Sequence, residues 1–395
     1  MSRPPVLTGL DRLVADRFSA LRGRRVGLVC HPASVDAELV HLTMRCREAG
    51  VHVVRCFGPE HGIWADAQDM IAVDDDRREP VTGAEVRSLY GAEEVSLSPR
   101  PEDLADLDVL LIDLQDIGSR YYTYIYTAAL CVRAATEAGI EAWVLDRPNP
   151  LGGLAVEGGL TGAEYLSFVG LWPLPTRHGL TAGEVVTLIA ERAGFAGSLK
   201  VLEMQGWSRS MYFDETGLPW VQPSPNMPTL ETALVYPGMC LLEGTNLSEG
   251  RGATRPFETL GADFIDPFAL SRTLSERALP GVVFRPLYFR PTFHKFGGRT
   301  IGGLGVHVVD RGRFQPLRVG LHLLDAVRRL YGPALVWRTE VYEFVRDRLA
   351  IDLLFGGAEA RTAIDAGGDV DAVWHAWQAE AAAFEPVRQR FTRYA

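Results

Sequence analysis

The stretch LDVLLIDLQD, residues 107–116, joins a run of apolar residues to carboxyl groups at its end. Its valine, leucine and isoleucine residues are typical of a strand that is buried on both faces, as in a parallel sheet. A helical pattern over 123–138 stops at Gly139, and a second apolar run, IEAWVLDRPNP at 140–150, follows. A strand, a helix and another strand in this order predict a βαβ unit.

The same alternation comes before this unit. Segments 25–30 (RVGLVC) and 51–57 (VHVVRCF) have strand character, and segment 36–50 between them has helical spacing and ends in glycine. Repeated alternation of this kind predicts a mostly parallel sheet with helices on its faces, that is, a Rossmann-like domain of the α/β class.

After a loop-rich middle part, the pattern becomes regular again from about Pro267. Helical and strand patterns alternate there over 267–278, 282–289, 303–310, 316–332, 340–355 and from Asp369 onwards. We therefore expect residues 1–260 to form the Rossmann-like catalytic domain. Residues 261–395 are expected to form a smaller C-terminal α/β domain that closes the cleft.

Composition limits the possible partners. The chain has 395 residues, 47% of them hydrophobic and 23% charged, which is typical of a soluble globular protein. Its net charge of −10 argues against a nucleic-acid partner. No apolar run is long enough for a membrane span or a secretory signal, so the expected location is the cytoplasm, with no membrane partner. The five cysteines are expected to be buried thiols in a reducing compartment.

Charged side chains follow three of the predicted strands. Glu60 and His61 come after one strand, Asp116 after a second, and Asp146 with Asn149 after a third. Because ligands of such sheets bind beyond the carboxyl ends of the strands, these residues are candidates for one site.

Glu60 and His61 lie between Pro59 and Gly62, in the sequence GPEHG. Proline fixes one backbone angle and glycine permits unusual ones, so the two side chains would be held in a set direction. A carboxyl in a partly dry strand end can serve as a general acid. The alternative is an ordinary turn with a solvated glutamate and a histidine bonded to the backbone.

Residues 113–127, DLQDIGSRYYTYIYT, place Gln115 and Asp116 before Arg120 and several tyrosines. Tyrosines beside carboxylates can hold a sugar ring, since they offer a flat apolar face and polar edges. An arginine there could pair with a substrate carboxylate. We also expect some of these tyrosines to belong to the core.

The loop-rich part, 151–260, contains the most unusual segments, PSPNMPT at 223–229 and EGTNLSEGRGATRPFE at 243–258. The second carries Glu243, Asn246, Glu249 and Arg251 among small residues, and such loops more often bind ligands than support a core. One helix is clear here, at 181–194, with Thr181 as its N-cap and Glu184 completing a capping box. His178 comes just before this helix, where it could hold an anion or act as a packing residue.

Several cofactor signals are missing from the sequence. No G-x-G-x-x-G follows the first strand, and neither a Walker A motif nor a G-x-S-x-G elbow is present. Histidines at metal-ligand spacing are also missing. The sequence therefore predicts neither a nucleotide cofactor nor a metal.

Seven motifs follow one another along the chain in this order: GPEHG, DLQDIGSRYYTY, LDRPNPLGG, HGLTAGE, PSPNMPT, EGTNLSEGRGATRPFE and RPTFHKFGG. Together they resemble the DUF1343 family of NamZ-type exo-β-N-acetylmuramidases. The resemblance covers nearly the whole chain. It implies a Rossmann-like domain without nucleotide, a smaller C-terminal domain, and an active site in the cleft between them. The implied activity is removal of a terminal non-reducing N-acetylmuramic acid (MurNAc) from peptidoglycan fragments.

The resemblance also implies roles for particular residues. Glu60 matches the proposed catalytic acid, and a second group is needed to stabilise or attack the anomeric carbon. Candidates for that second group are Asp116, Glu243, Glu249 or a tyrosine. MurNAc bears a lactyl carboxylate, for which the expected cationic contacts are Arg251, Arg120 and His178. The full set of expected substrate ligands is His61, Gln115, Arg120, Tyr121, Tyr122, Tyr124, Asp146, Asn149, His178, Asn226, Asn246 and Arg251.

This chain departs from the family pattern at Ile63 to Asp66, after the GPEHG motif, and at Phe296 and Ile301. These departures leave the choice of β-glycoside open. Two other functions also remain open: an amino-sugar or muropeptide receptor without turnover, and a Rossmann-type oxidoreductase, against which the missing glycine motif argues.

Overall fold

The computed structural model describes residues 5–68, 71–73 and 78–395. Over these residues the strands are β1 (Arg25–Cys30), β2 (His52–Gly58), β3 (Glu85–Ser88), β4 (Val109–Asp113), β5 (Glu141–Leu145), β6 (Leu199–Leu202), β7 (Thr259–Ala262), β8 (Val282–Phe289) and β9 (Ile301–Val308). The helices are α1 (Gly9–Ala15), α2 (Leu42–Glu48), α3 (Pro101–Leu104), α4 (Tyr124–Glu137), α5 (Ala182–Ala193), α6 (Leu230–Met239), α7 (Pro267–Glu276), α8 (Pro316–Tyr331), α9 (Ala350–Phe355), α10 (Glu359–Asp365) and α11 (Val370–Gln389).

The first sheet has the order β3-β2-β1-β4-β5-β6 within the described residues, and each neighbouring pair is parallel. Strand β1 lies at its centre, with Leu28 opposite Cys56 of β2 and Leu111 of β4. The apolar residues of β1 and β4 are buried because the sheet is covered on both faces. This order is that of a Rossmann-type sheet, so the predicted fold class is confirmed.

The strand order changes direction between β1 and β4, which is where Rossmann folds bind nucleotides. Here His31, which follows β1 and is fully buried, occupies this position. The backbone N–H of Gln115 donates to His31 Nε2 at 2.9 Å, and His31 Nδ1 lies 3.1 Å from the carbonyl oxygen of Pro223. His31 therefore connects the end of β1 to the residues that follow β4 and to the loop at Pro223.

The second sheet is antiparallel, in the order β7-β9-β8 over the part of the chain that the structure describes. Helices α7 and α6 contact this sheet, and α8 packs on both of these helices. The approach of α6 to α8 requires a glycine at 238, since a Cβ atom there would lie 1.9 Å from the carbonyl oxygen of Pro316. The expected domain boundary at 260/261 stays a prediction.

Most predicted elements are present, including the capping box of Thr181 and Glu184 at α5 and the terminal helix that starts after Asp369. Two helices were predicted too long. The segment 36–50 is helical only from Leu42, because Asp36 accepts backbone N–H groups of its own turn. The segment 340–355 is helical only from Ala350, and its first part forms a tight turn.

The loop-rich part contains three elements that the sequence patterns did not reveal, β6, α6 and β7. Helix α6 includes Pro237, which made it look irregular. The five cysteines are buried thiols, as predicted. Within the described residues, no helix has the length and apolarity that crossing a membrane requires.

Candidate active site

A pocket joins the carboxyl edge of the first sheet to loops from the second half of the chain. Eight residues that the sequence singled out line it: Glu60, His61, Tyr121, Tyr122, Tyr124, Asn226, Glu243 and Arg251. The structure thus brings together residues that lie up to 191 positions apart, from Glu60 to Arg251.

Glu60 is held in the pocket wall directly after β2, where it is 6% exposed. The backbone turns sharply there, with left-handed φ angles of 70° at His61 and 80° at Gly62. The Thr123 hydroxyl donates to Glu60 Oε2 at 2.8 Å, and the Tyr124 hydroxyl donates to the Glu60 carbonyl oxygen at 3.3 Å. The start of α4 therefore fixes both the side chain and the backbone of Glu60.

His61 also lines the pocket and is bonded to the backbone of the next loop. Its Nδ1 atom lies 2.9 Å from the carbonyl oxygen of Ala67, within the loop that follows β2. Asn226 closes the same side of the pocket, where its side-chain amide donates to Gln68 Oε1 at 2.9 Å.

Aromatic rings form one wall of the pocket. The rings of Tyr122 and Tyr124 meet edge to face at 4.8 Å, and Tyr122 meets Tyr236 in the same way at 5.9 Å. Burial raises the pKa of Tyr121, Tyr122 and Tyr124 above the ordinary value, so their phenols are neutral. The wall is therefore apolar in its rings and hydrogen-bonding at its edges, as a sugar site requires.

The pocket lining also includes a second carboxyl group, Glu243, which accepts hydrogen bonds from two side chains. Arg251 Nη2 donates to Glu243 Oε1 at 2.6 Å, and the Tyr342 hydroxyl donates to Glu243 Oε2 at 2.8 Å. The Arg251 guanidinium also lies 5.2 Å from the centre of the Phe257 ring. All four residues line the pocket and are buried.

Tyr342 and Glu343 reach the pocket from a turn in which Tyr342 pairs with Val345. Glu343 and Phe344 both have left-handed φ angles, 46° and 69°, which cost of order 1–3 kcal/mol each in residues other than glycine. The Tyr90 hydroxyl donates to Glu343 Oε2 at 3.1 Å, a contact that crosses 253 positions of sequence. Strain held by such contacts is typical of functional sites.

Glu249, proposed as a catalytic carboxyl, does not line the pocket. It is fully buried behind Arg251, with Lys295 Nζ donating to its Oε2 at 2.9 Å. Burial alone would raise its pKa, but Lys295, His294 and Arg251 outweigh that effect and lower it. Glu249 therefore supports Arg251 from behind the pocket, and its expected catalytic role stays a prediction.

Asp116 and His178 also lie outside the pocket lining. Asp116 Oδ2 accepts the N–H of Gly118 at 2.7 Å and lies 3.4 Å from His178 Nε2, while His178 Nδ1 accepts the N–H of Leu180. Both side chains are buried, so the structure does not support Asp116 as the second catalytic group or His178 as an anion ligand.

Gln115 and Arg120 are committed to backbone contacts. The Gln115 amide donates to the carbonyl oxygens of Asp116 and Pro148. The Arg120 guanidinium is fully buried and donates to three carbonyl oxygens, those of Gly159, Leu174 and Leu354. Neither residue lines the pocket, so their expected roles as ligands are not supported.

The side chains of Asp146, Asn149 and Asn246 are also engaged in hydrogen bonds within the fold. Asp146 accepts hydrogen bonds at the start of α5 and from the Tyr394 hydroxyl, and burial raises its pKa to about 6. Asn149 binds the backbone of its own turn and Leu180, and Asn246 binds the backbone at 334 and 336. None of the three lines the pocket.

The pocket also contains residues that sequence reasoning missed: Thr123, Val169, Ser224, Met227, Tyr236, Phe257, Tyr342 and Glu343. Ser224, Met227 and Phe257 lie inside segments already judged unusual, which was the available signal. Tyr342 and Glu343 were hidden because their segment was predicted to be helical. Among the residues that the structure describes, no group of three or more potential ligands is arranged for a metal ion.

The fold and the pocket define a two-domain α/β protein with a carboxyl-bearing, aromatic-walled pocket of the kind that holds a sugar. The chain belongs to the NamZ family. The family's N-terminal model, for exo-β-N-acetylmuramidase NamZ, matches residues 26–231, and its C-terminal model matches residues 234–394. The family resemblance found in the sequence motifs is thus confirmed.

Relatives agree with this assignment. The chain is 41% identical over 395 residues to the peptidoglycan β-N-acetylmuramidase NamZ of Bacillus subtilis (strain 168). This match covers 99% of the present chain and 92% of the relative. A crystal structure of a DUF1343 family protein from Bacteroides fragilis superposes with a TM-score of 0.87 at 32% identity, over the full length of both chains. A second DUF1343 protein from that organism, 24% identical over 99% of both chains, shares the fold with a TM-score of 0.75.

Proposed function

We propose that the protein is an exo-acting β-N-acetylmuramidase. It removes a terminal non-reducing MurNAc from peptidoglycan fragments or from MurNAc-GlcNAc disaccharides. The observation that carries this proposal is the position of Glu60, a carboxyl group bonded to Thr123 in a pocket that a second carboxyl group, Glu243, also lines. Membership of the NamZ family gives independent support.

Glu60 acts as the general acid in this proposal. It donates a proton to the glycosidic oxygen as the bond between that oxygen and C1 of MurNAc breaks. Positive charge then develops on the sugar ring. Water supplies the hydroxyl group that C1 gains and the proton that restores the acid, so the sum of the steps is hydrolysis.

Glu243 is the second catalytic group that the geometry favours. Of the candidates Asp116, Glu243 and Glu249, it alone lines the pocket. Its two oxygens accept hydrogen bonds from Arg251 and Tyr342, which hold the carboxyl group in one orientation. An ionised carboxylate stabilises an oxocarbenium-like transition state.

Arg251 is the cation that meets the lactyl carboxylate of MurNAc. Of the three contacts considered for this role, Arg251, Arg120 and His178, it is the one in the pocket wall. A guanidinium suits a carboxylate because its N–H groups match the two oxygens of the anion.

Hydrolysis of an aryl β-MurNAc glycoside tests the proposal. We expect Glu60→Gln to lower kcat by about 10²–10⁴-fold, the usual contribution of a general acid. Glu164→Gln is the matched control, since Glu164 is exposed and outside the pocket. Full activity of Glu60→Gln would contradict the role of Glu60. Tight binding of MurNAc by the wild-type protein without any product would instead indicate a receptor.

A further inference from the structure

Lys295 stands out in a chain that relies on arginine for its positive charge. The sequence has two lysines, Lys200 and Lys295, among 40 basic side chains. Lys200 is exposed on β6, with its Nζ atom 3.7 Å from the centre of the Trp143 ring. Lys295 is in a different environment, since its side chain is 19% exposed and reaches towards the pocket from the loop between β8 and β9.

All three N–H donors of the Lys295 ammonium have acceptors. They bind the carbonyl oxygens of Leu242 and Leu247, at 3.0 and 2.9 Å, and Glu249 Oε2 at 2.9 Å. An ammonium group meets three acceptors arranged around one point, which a planar guanidinium cannot do. The site therefore requires lysine for a geometric reason.

The loop that carries Lys295 is attached to the pocket wall at a second point. The backbone N–H and the hydroxyl of Thr292 both donate to the carbonyl oxygen of Gly252, at 2.9 and 3.0 Å. Gly252 follows Arg251 directly. A Cβ atom at Gly252 would lie 2.7 Å from the carbonyl oxygen of Phe293, so the loop and the wall are in close contact.

Charges alternate from Lys295 into the pocket. Lys295 pairs with Glu249, Glu249 Oε1 lies 3.3 Å from Arg251 Nε, and Arg251 pairs with Glu243. His294 Nδ1 also lies 3.1 Å from Glu249 Oε1, so Lys295 is the partner of the other oxygen, Oε2. Without Lys295, Glu249 Oε2 would lose its ammonium partner, and a buried carboxylate that loses a partner is costly.

We propose that Lys295 is a positioning residue that gives the pocket its selectivity for a sugar bearing a carboxylate. It holds Glu249 as an ion pair, so that Arg251 stays oriented towards the pocket and meets the lactyl carboxylate. This inference rests on the proposed function and adds to it the group that determines the substrate class.

Calorimetric binding of two ligands tests the proposal: MurNAc itself and its lactyl amide, which lacks the negative charge. We expect the wild-type protein to bind the acid at least about tenfold more tightly than the amide, because a hydrogen bond between charged groups adds about that much to the affinity. Lys295→Met should weaken binding of the acid by about tenfold and leave binding of the amide unchanged. In hydrolysis of an aryl β-MurNAc glycoside, the same variant should raise KM with kcat changed by less than about threefold.

Lys200→Met is the matched control and should keep the full preference for the acid. A second variant, Glu249→Gln with Lys295→Met, removes both partners of the ion pair and should regain the preference. If Lys295→Met alone does not fold, this double variant still allows the preference to be measured. The proposal is overturned if Lys295→Met keeps the preference, if it weakens both ligands equally, or if the double variant does not recover. Failure of the wild-type protein to bind either ligand would instead overturn the proposed function.

Discussion

His31 and Pro223 connect the centre of the first sheet to the pocket wall. Because Gln115 donates its N–H to His31 Nε2, the proton of the imidazole lies on Nδ1, which donates to the Pro223 carbonyl oxygen at 3.1 Å. The Tyr124 hydroxyl donates to the same oxygen at 3.0 Å. The segment that carries Ser224, Asn226 and Met227 is thus tied to the sheet through a neutral histidine.

Because His31 is buried in these contacts, the free energy of unfolding depends on pH. Burial lowers the pKa of His31 from 6.5 to about 3, so below pH 6.5 the unfolded chain binds a proton that the folded protein does not. His31 therefore stabilises the fold above pH 6.5, and its contribution falls as the pH falls towards 3. Between pH 6.5 and 4.5 the loss is about 2 kcal/mol.

Urea unfolding at several pH values checks this expectation. The difference in unfolding free energy between the wild-type protein and His31→Gln should shrink by that amount over this range. A difference that stays constant with pH would show that His31 does not titrate in this way.

Removal of the Tyr342 hydroxyl should reduce activity without unfolding the protein. In Tyr342→Phe, Glu243 loses the donor at 2.8 Å, and we expect kcat/KM for an aryl β-MurNAc glycoside to fall by about 10–100-fold. Tyr288→Phe is the control, because Tyr288 is 64% exposed and outside the pocket. Equal activities of the two variants would argue against a role for Glu243 in the reaction.

Loss of the Thr123 hydroxyl should affect the turnover of bound substrate more than its binding. Thr123→Val removes the donor to Glu60 Oε2, so the carboxyl group is no longer held in one orientation. We expect kcat to fall by about tenfold with KM changed less than about twofold. Thr127→Val, one turn later in α4, removes only a hydroxyl bonded to the Thr123 carbonyl oxygen and should retain kcat.

The contact of α6 with α8 should tolerate no side chain at position 238. In Gly238→Ala the new methyl group would overlap the Pro316 carbonyl oxygen, so the helices must separate. We expect a loss of at least about 2 kcal/mol in unfolding free energy, as for overpacked cores. Gly197→Ala is the control, since a Cβ atom there meets nothing within 4 Å. Similar thermal unfolding of both variants would contradict the close packing of these helices.

The sheet and most helices follow from local sequence patterns, because burial on both faces of a parallel sheet leaves continuous apolar runs. The carboxyl-edge rule also led to Glu60, which lies in the pocket and whose catalytic role stays a prediction. It did not separate Glu60 from Asp116 and Asp146, which occupy equivalent places after other strands. Which strand end is open to a ligand depends on the loops that pack over it, and those contacts are distant in sequence.

Local sequence also does not separate pocket residues from other residues within one segment. Glu243, Asn246, Glu249 and Arg251 were singled out together, yet only Glu243 and Arg251 line the pocket. Glu249 points at Lys295, and Asn246 binds the backbone near residue 335. No spacing rule distinguishes these cases, because each partner comes from another part of the chain.

The hydrogen bond between Tyr90 and Glu343 has a consequence for the order of folding. Contacts between residues so far apart in sequence form late, because the chain must first lose the entropy of closing a long loop. The first sheet can assemble from local βαβ units before the turn at Tyr342–Val345 docks. Hydrolytic activity should therefore return after the helical circular dichroism signal when the denatured protein refolds, which makes the pocket a reporter of the last docking step.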